Sequence, residues 1–233
     1  MKKFSVLSLI LLTGAFINLV AQYEIGFHYS PNISFRTMLI KYDPFGLLHR
    51  DQENSSLKFC NSAGIDFGQH ITQALTFKTG IWLSAKGFKI HDNCEFDTLR
   101  IDMYRKDEYR YLEVPVTLRF KTNKEQRINY TIESGIAYNV YLNSKEIQTG
   151  TGFFGEDINR KVYSSRREWF NYKNFSYLAQ AGISFAVNKK LVFNPAVYTE
   201  LMLNNYLNDK EFEGSNKFYL HTIGLKCEVI YDF

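Results

Sequence analysis

The last sixteen residues, FYLHTIGLKCEVIYDF (218–233), alternate between apolar and polar side chains with a period of two. One set of alternate positions is apolar and aromatic: Ile223, Leu225, Cys227, Val229, Tyr231 and Phe233. The other set is mostly polar and includes Thr222, Lys226, Glu228 and Asp232. Because successive side chains of a β-strand point to opposite faces, this stretch predicts a strand with one apolar and one polar face.

The same alternation recurs through the chain and predicts eight strands, at 23–40, 57–69, 75–90, 108–122, 128–144, 175–188, 191–204 and 217–233. Short connections at 70–74, 123–127 and 188–190 alternate with long ones at 41–56, 91–107, 145–174 and 204–216. This order predicts an antiparallel up-and-down meander with all long loops at one end and both termini at the other. Transmembrane β-barrels have this asymmetry of short periplasmic turns and long extracellular loops.

The first 21 residues predict a secretory signal peptide. Lys2 and Lys3 precede an apolar run, and small residues follow up to Ala21. Cleavage there leaves residues 22–233 as one domain and, by removing two lysines, lowers the formal charge from +4 to +2. So small an excess of positive charge does not indicate a nucleic acid partner. No later apolar stretch is long enough for a membrane helix, which leaves an outer-membrane barrel, a soluble lipocalin-like barrel or a soluble sandwich.

The composition of the polar face favours the membrane barrel. That face has repeated glycines and both signs of charge, which suits the narrow, filled lumen of an eight-stranded barrel, whereas the opposite face is nearly free of charge. An enclosed lumen requires its charges to be paired. We therefore predict a lumenal charge network of Glu24, Asp66, Lys78, Lys86, Glu113, Arg119, Glu133, Glu200, Lys226 and Glu228. One connected cluster is expected to contain Glu113, Arg119, Glu133, Lys226 and Glu228.

The C-terminal end of the last strand predicts a membrane anchor. On this assignment Tyr231 and Phe233 face lipid at the periplasmic interface, where barrels have an aromatic girdle. A final strand that ends in an aromatic residue is also similar to the signal by which the assembly machinery recognises outer-membrane barrels.

Two further stretches carry a family resemblance. YLEVPVTLRFK (111–121), followed by a short turn and GIAYNVYL (135–142), resembles the PorT-like outer-membrane β-barrel domain family. The resemblance implies eight strands in the cell outer membrane, and the namesake members of that family serve type nine secretion and gliding. No residue of this chain indicates those members rather than the broader family.

Catalytic and metal sites are not predicted. His28 and Ser30 lie two apart, as in the base and nucleophile of a lipid A deacylase. However, this position is near the periplasmic end and inside the lumen, which favours a lumen-filling histidine. The histidines do not have metal-ligand spacing with cysteines or carboxylates, so we expect no metal or cofactor. Cys227 faces lipid, and a bridge between Cys60 and Cys94 is one alternative for the other two cysteines.

The loop 145–174 is the strongest candidate for a binding surface. Its cations and aromatic residues include Arg160, Arg166, Arg167, Trp169 and Tyr172, which suit anionic polysaccharide, lipid head groups or a protein partner. We therefore expect a non-enzymatic barrel that is a structural, binding or accessory component of the envelope, with a small-solute pore as the alternative. Expected partners are outer-membrane lipids and lipopolysaccharide, the assembly machinery and an envelope protein.

Overall fold

The structure is a computed structural model that describes residues 22–43, 46–96, 99–122, 127–151, 156–164, 169–208 and 216–233. The predicted signal peptide, residues 1–21, lies outside this range. One short helix, α1 (Leu47–Glu53), lies in the first predicted loop. No helix in the described part of the chain is long and apolar enough to cross a membrane.

The described residues contain ten strands. They are β1 (Tyr23–Leu39), β2 (Ser55–Ser56), β3 (Lys58–His70), β4 (Leu75–Phe96), β5 (Leu99–Lys121), β6 (Ile128–Thr151), β7 (Asp157–Ser164), β8 (Lys173–Ala186), β9 (Leu191–Met202) and β10 (Lys217–Asp232).

Eight of these strands form a closed antiparallel barrel, as predicted. Around the ring the order is β1, β3, β4, β5, β6, β8, β9 and β10. The last strand pairs with the first from Glu24 opposite Asp232 to Leu39 opposite Lys217. Since every barrel strand has a partner on both sides, this closure leaves no free sheet edge around the ring.

The outward-facing side chains form an apolar belt. Alternate residues of the barrel strands are exposed there, among them Phe27, Ile65, Phe67, Ile81, Leu83, Val116, Leu118, Ile132, Ile136, Val197, Leu225 and Val229. The residues between them are buried inside the barrel and are polar near the short-turn end. A soluble barrel would place these faces the other way round, so the belt supports a membrane-spanning barrel.

Two of the predicted long loops are mostly strand. The segment 91–107 continues the β4–β5 hairpin, which pairs as far as Phe96 opposite Leu99. Most of 145–174 is a second hairpin, in which β6 runs to Thr151 and pairs with β7. We missed these extensions because both faces of a strand that leaves the barrel are solvated, so its sequence loses the apolar alternation.

Cys60 and Cys227 are free thiols. The alternative of a bridge between Cys60 and Cys94 was therefore wrong. Cys227 is exposed on the apolar belt, as the alternation of β10 predicted.

Candidate functional site

All ten predicted network residues are buried inside the barrel. Each comes from the inward face of a barrel strand, so the alternation that made the belt apolar also gathers these charges in the lumen. They form two groups rather than one.

The larger group lies toward the short-turn end. Lys78 Nζ is 2.7 Å from Glu228 Oε1 and 3.2 Å from Glu133 Oε2. Arg119 pairs with Glu24 and, at 3.5 Å, with Glu228. Lys226 Nζ is 3.0 Å from Asp66 Oδ2. Ion pairs from six strands therefore cross-link this part of the lumen.

Glu113 belongs to the smaller group, so its predicted place in the same cluster as Glu133 and Glu228 was wrong. Lys86 Nζ lies 2.9 Å from Glu113 Oε1 and also pairs with Glu200. Lys86, opposite Tyr109, and Glu113, opposite Trp82, lie near the middle of the β4–β5 pairing, farther from the short turns than Lys78 and Arg119. The lumen therefore holds two separate networks along its axis.

His28 is a lumen-filling residue in this arrangement. Its Nδ1 is 3.0 Å from Asp66 Oδ2, and its ring packs edge-on against Trp82 with centroids 4.7 Å apart. Trp82 Nε1 donates to the other oxygen of Asp66 at 2.6 Å. Ser30 is buried as well. Both side chains are thus enclosed by the barrel wall, as the sequence predicted.

Above the smaller network an aromatic cluster fills the barrel. Its buried members are Phe88, Ile90, Tyr109, Tyr111, Tyr141, Met202, Tyr206, Phe218 and Leu220. Phe170 stacks on Tyr141 with ring centroids 4.8 Å apart and covers the cluster from the loop side. We did not predict this cluster from the sequence, although Tyr109 and Tyr111 continue the inward alternation of Glu113 and indicated it. The interior is therefore ionic toward the short turns and apolar toward the long loops.

A cleft of about 530 Å³ lies beside this cluster, outside the barrel belt. The β6–β7 hairpin supplies Lys145, Glu146, Arg160 and Tyr163, the β5 strand supplies Asp107, and Trp169 and Phe170 complete the wall. Arg160 and Trp169 are exposed, as a binding surface requires. Tyr172 is exposed but does not line the cleft. Arg166 and Arg167 lie outside the described residues.

Asp107 has an unusual environment for a residue of this cleft. Lys121 ends β5 at the short-turn side, and Asp107 lies fourteen residues away from it along the strand. Because about 9–11 residues of a strand span a bilayer, Asp107 lies outside the membrane-spanning segment. Burial raises the pKa of its carboxyl to about 6, against the attraction of Arg105, whose Nε is 3.2 Å away. The charge of the cleft therefore changes near pH 6.

The two predicted anchor residues lie on the outer face at the short-turn end. Tyr231 and Phe233 are 41% and 63% exposed, and their rings meet edge to face with centroids 5.1 Å apart. The amide of Phe233 donates to the carbonyl of Tyr23 at 3.0 Å. The last residue is thus held by the first strand.

Three residues with metal-binding side chains also meet at the short-turn end. Glu24, His70 and Asp232 each present one ligand atom, and these atoms lie within 4.8 Å of one another. No sequence spacing predicted this group, because its members are brought together only by the closure of the barrel.

Comparisons with known proteins agree with this architecture. Residues 18–229 match the family described as "Outer membrane protein beta-barrel domain". No curated protein sequence matches the chain.

Similar solved structures include the Neisserial surface protein A, with 9% identity over 92% of this chain and 99% of that chain and a TM-score of 0.46. The attachment invasion locus protein Ail of Yersinia pestis, solved with a heparin analogue, has 13% identity over 92% and 100% of the two chains and a TM-score of 0.40. OprG from Pseudomonas aeruginosa has 14% identity over 91% and 95% and a TM-score of 0.40. These values are too low to transfer a function.

Proposed function

Because the chain belongs to the outer membrane protein beta-barrel domain family, we propose that it is a non-enzymatic surface-binding protein of the outer membrane, with its binding site in the β5–β6–β7 cleft. The protein lies in the outer membrane, and its short turns face the periplasm as in other such barrels. The cleft is then extracellular.

The observation that carries this proposal is the filled interior. Ion pairs occupy the periplasmic half of the lumen and the aromatic cluster occupies the extracellular half. An interior with both halves filled leaves little room for a solute path, which disfavours the alternative of a pore. The strands that extend beyond the barrel instead build a concave surface outside the membrane.

The chemistry of the cleft suits an acidic polysaccharide. Tyr163 and Trp169 are exposed and offer flat apolar faces, while Lys145 and Arg160 offer cations to carboxylate or sulfate groups. Two acids, Asp107 and Glu146, balance these cations. Since Asp107 gains a proton near pH 6, we expect tighter binding of an anionic polymer at pH 5 than at pH 7.5.

Binding to immobilised polysaccharides tests the proposal. The mature protein in lipid nanodiscs is passed over dextran sulfate, polygalacturonate and neutral dextran. We expect binding to the two anionic polymers that weakens with salt, and at least about tenfold weaker binding for Arg160→Gln and Trp169→Ala, or about 1.4 kcal/mol. Lys161→Gln is the matched control, since Lys161 follows Arg160 on β7 but does not line the cleft. Equal binding by all variants, or no binding, would exclude this ligand class.

The PorT-like resemblance supports a finer proposal, that the barrel is an accessory component of an envelope machine such as a secretion system. Affinity capture from native membranes would test it, with the affinity tag inserted directly after the predicted cleavage site at Ala21 so that the C-terminal strand stays unchanged. Recovery of the same envelope proteins with the wild type and not with an unrelated outer-membrane barrel is the expected result. Recovery of lipopolysaccharide and assembly machinery alone would leave the cleft proposal standing and exclude the machine.

A further inference from the structure

The group of Glu24, His70 and Asp232 lies at the short-turn end of the barrel, where the last strand meets the first. Glu24 lies on β1, His70 is the last residue of β3, and Asp232 is the last residue of β10. Glu24 is directly opposite Asp232 in the β1–β10 pairing, and it packs over Gly68 of β3. A Cβ at Gly68 would lie 2.4 Å from Glu24 Cγ, so only glycine leaves room for the glutamate there.

Two of the three atoms that face each other in this group lack hydrogen-bond partners. His70 Nε2 is 3.6 Å from both Glu24 Oε2 and Asp232 Oδ1, too far for a hydrogen bond. Both His70 Nε2 and Asp232 Oδ1 are buried and have no hydrogen-bond partner in the structure. Buried polar atoms are nearly always satisfied, so their isolation indicates a missing partner between them.

The other nitrogen of His70 is already bonded. Its Nδ1 lies 2.9 Å from Thr76 Oγ1. When Nδ1 donates its proton to that hydroxyl, Nε2 presents a lone pair to the two carboxylates, as in histidines that bind metals. A lone pair and two carboxylate oxygens within 4.8 Å of one another are a set of ligands that suits a cation.

We propose that Glu24, His70 and Asp232 form a site for a divalent transition ion of the zinc type. Ligand atoms about 2.0–2.1 Å from a tetrahedral ion are separated by about 3.3 Å, close to the two distances of 3.6 Å found here. The fourth position faces the cavity of about 400 Å³ at the periplasmic mouth of the barrel.

The surrounding charge both supports and limits the site. The ten network residues comprise six carboxylates and four cations, so the lumen has an excess of negative charge. However, Arg119 pairs with Glu24, and Lys121, Arg127 and Lys189 line the same cavity. These cations weaken the attraction for a metal ion, and we expect an affinity in the micromolar range.

The ion would cross-link the strands at which the barrel closes. Its ligands come from the first two barrel strands and from the last, so binding links β10 to β1 and β3 at the point where the chain ends. An ion that binds only the closed barrel stabilises it by mass action.

Zinc titration of the mature protein tests the site. The protein carries no affinity tag, has its three cysteines replaced by serine, and is refolded in detergent after chelation. At pH 7.5 we expect one Zn²⁺ per chain by calorimetry and a higher unfolding temperature than in chelator. His70→Gln and Asp232→Asn are each expected to weaken binding at least tenfold. His91→Gln is the control, because His91 Nε2 pairs with Asp102 at 2.8 Å at the extracellular end.

Three results would overturn the proposal. They are the absence of zinc binding by the parent, zinc binding that persists in both site variants, and zinc binding that disappears in His91→Gln. The first can be seen with the parent protein, which carries no substitution in the site.

Discussion

The buried carboxylate of Glu133 forms an ion pair and two hydrogen bonds with side chains from three other strands. It pairs with Lys78 at 3.2 Å, accepts a hydrogen bond from Thr117 Oγ1 at 2.7 Å and accepts another from Gln180 Nε2. The carboxylate gives Lys78, Thr117 and Gln180 a partner, so the side chain stabilises its neighbours as much as itself. Stability in this lumen therefore depends on complete networks rather than on individual pairs.

Glu133→Leu is expected to lower the free energy of unfolding by about 3 kcal/mol. The leucine leaves the hydroxyl of Thr117 and the amide of Gln180 without an acceptor, while Lys78 keeps Glu228. Urea unfolding in detergent micelles measures the change. Glu53→Leu on the exposed face of α1 is the control, with an expected change below about 0.5 kcal/mol. Equal stability of Glu133→Leu and the wild type would contradict the filled, paired lumen.

Asp107 predicts a pH dependence of stability. Because burial raises its folded pKa from the ordinary 3.8 to about 6, the folded state holds the proton more tightly than the unfolded chain. Its contribution is fully present below about pH 4 and is lost as the pH rises through about 6. Asp107→Asn removes this dependence and is expected to be more stable at pH 7.5 by up to about 3 kcal/mol.

Unfolding of Asp107→Asn and the wild type at pH 5 and pH 7.5 checks this expectation. Arg105 keeps Asp51 at 3.4 Å in the variant, so it is not left alone. Glu108→Gln, next along β5 and only half-buried, is the control. A gain in the stability of the wild type between pH 5 and 7.5, relative to Asp107→Asn, would contradict a raised pKa of Asp107 in the folded state.

Among the elements, β10 combines three roles in sixteen residues. Its inward side chains Lys226 and Glu228 complete the larger ion network, and its outward side chains join the apolar belt. Its pairing with β1 closes the ring. Since all three roles depend on the same register, a shift by one residue would reverse both faces at once.

Phe233→Asp is expected to keep the protein in the periplasm, because a charge replaces the aromatic ring at the membrane interface. Phe233→Tyr is expected to be tolerated, since tyrosine keeps an amphipathic ring at the same depth. Lys217→Asp places the same acidic side chain at the exposed opposite end of β10 and is the matched control for targeting. Heat-modifiable migration of the outer-membrane fraction measures folded protein for each variant. Normal amounts of folded Phe233→Asp in that fraction would contradict an assembly role for the C-terminal residue.

The whole molecule is a closed barrel with a filled interior and an extension outside the membrane. From the short-turn end, the larger ion network, the smaller ion network and the aromatic cluster follow one another along the lumen. The β4–β5 and β6–β7 hairpins extend beyond the barrel at the long-loop end. The barrel thus supports the cleft beyond its long-loop end.

Purified protein in planar lipid bilayers is expected to show no discrete conductance steps, because side chains occupy the lumen from Glu24 to Phe88. An open porin inserted under the same conditions provides the positive control. Steady single-channel openings of the wild type would contradict the filled interior and restore the pore as its function.

The alternation of β10 and its counterparts determined the strand number, the closed antiparallel order, the lipid face and the identity of the ten buried charges. Those properties follow from local sequence because a bilayer outside and a narrow lumen inside each impose one kind of side chain on alternate positions. Only the tertiary structure decided which charges pair and that Glu113 lies in a different network from Glu133. It also decided the aromatic cluster and the two extended hairpins. It also brought Glu24 and His70 to Asp232, which comes more than 160 residues later in the sequence. Partners in a barrel depend on register and ring closure, and a one-dimensional pattern contains neither.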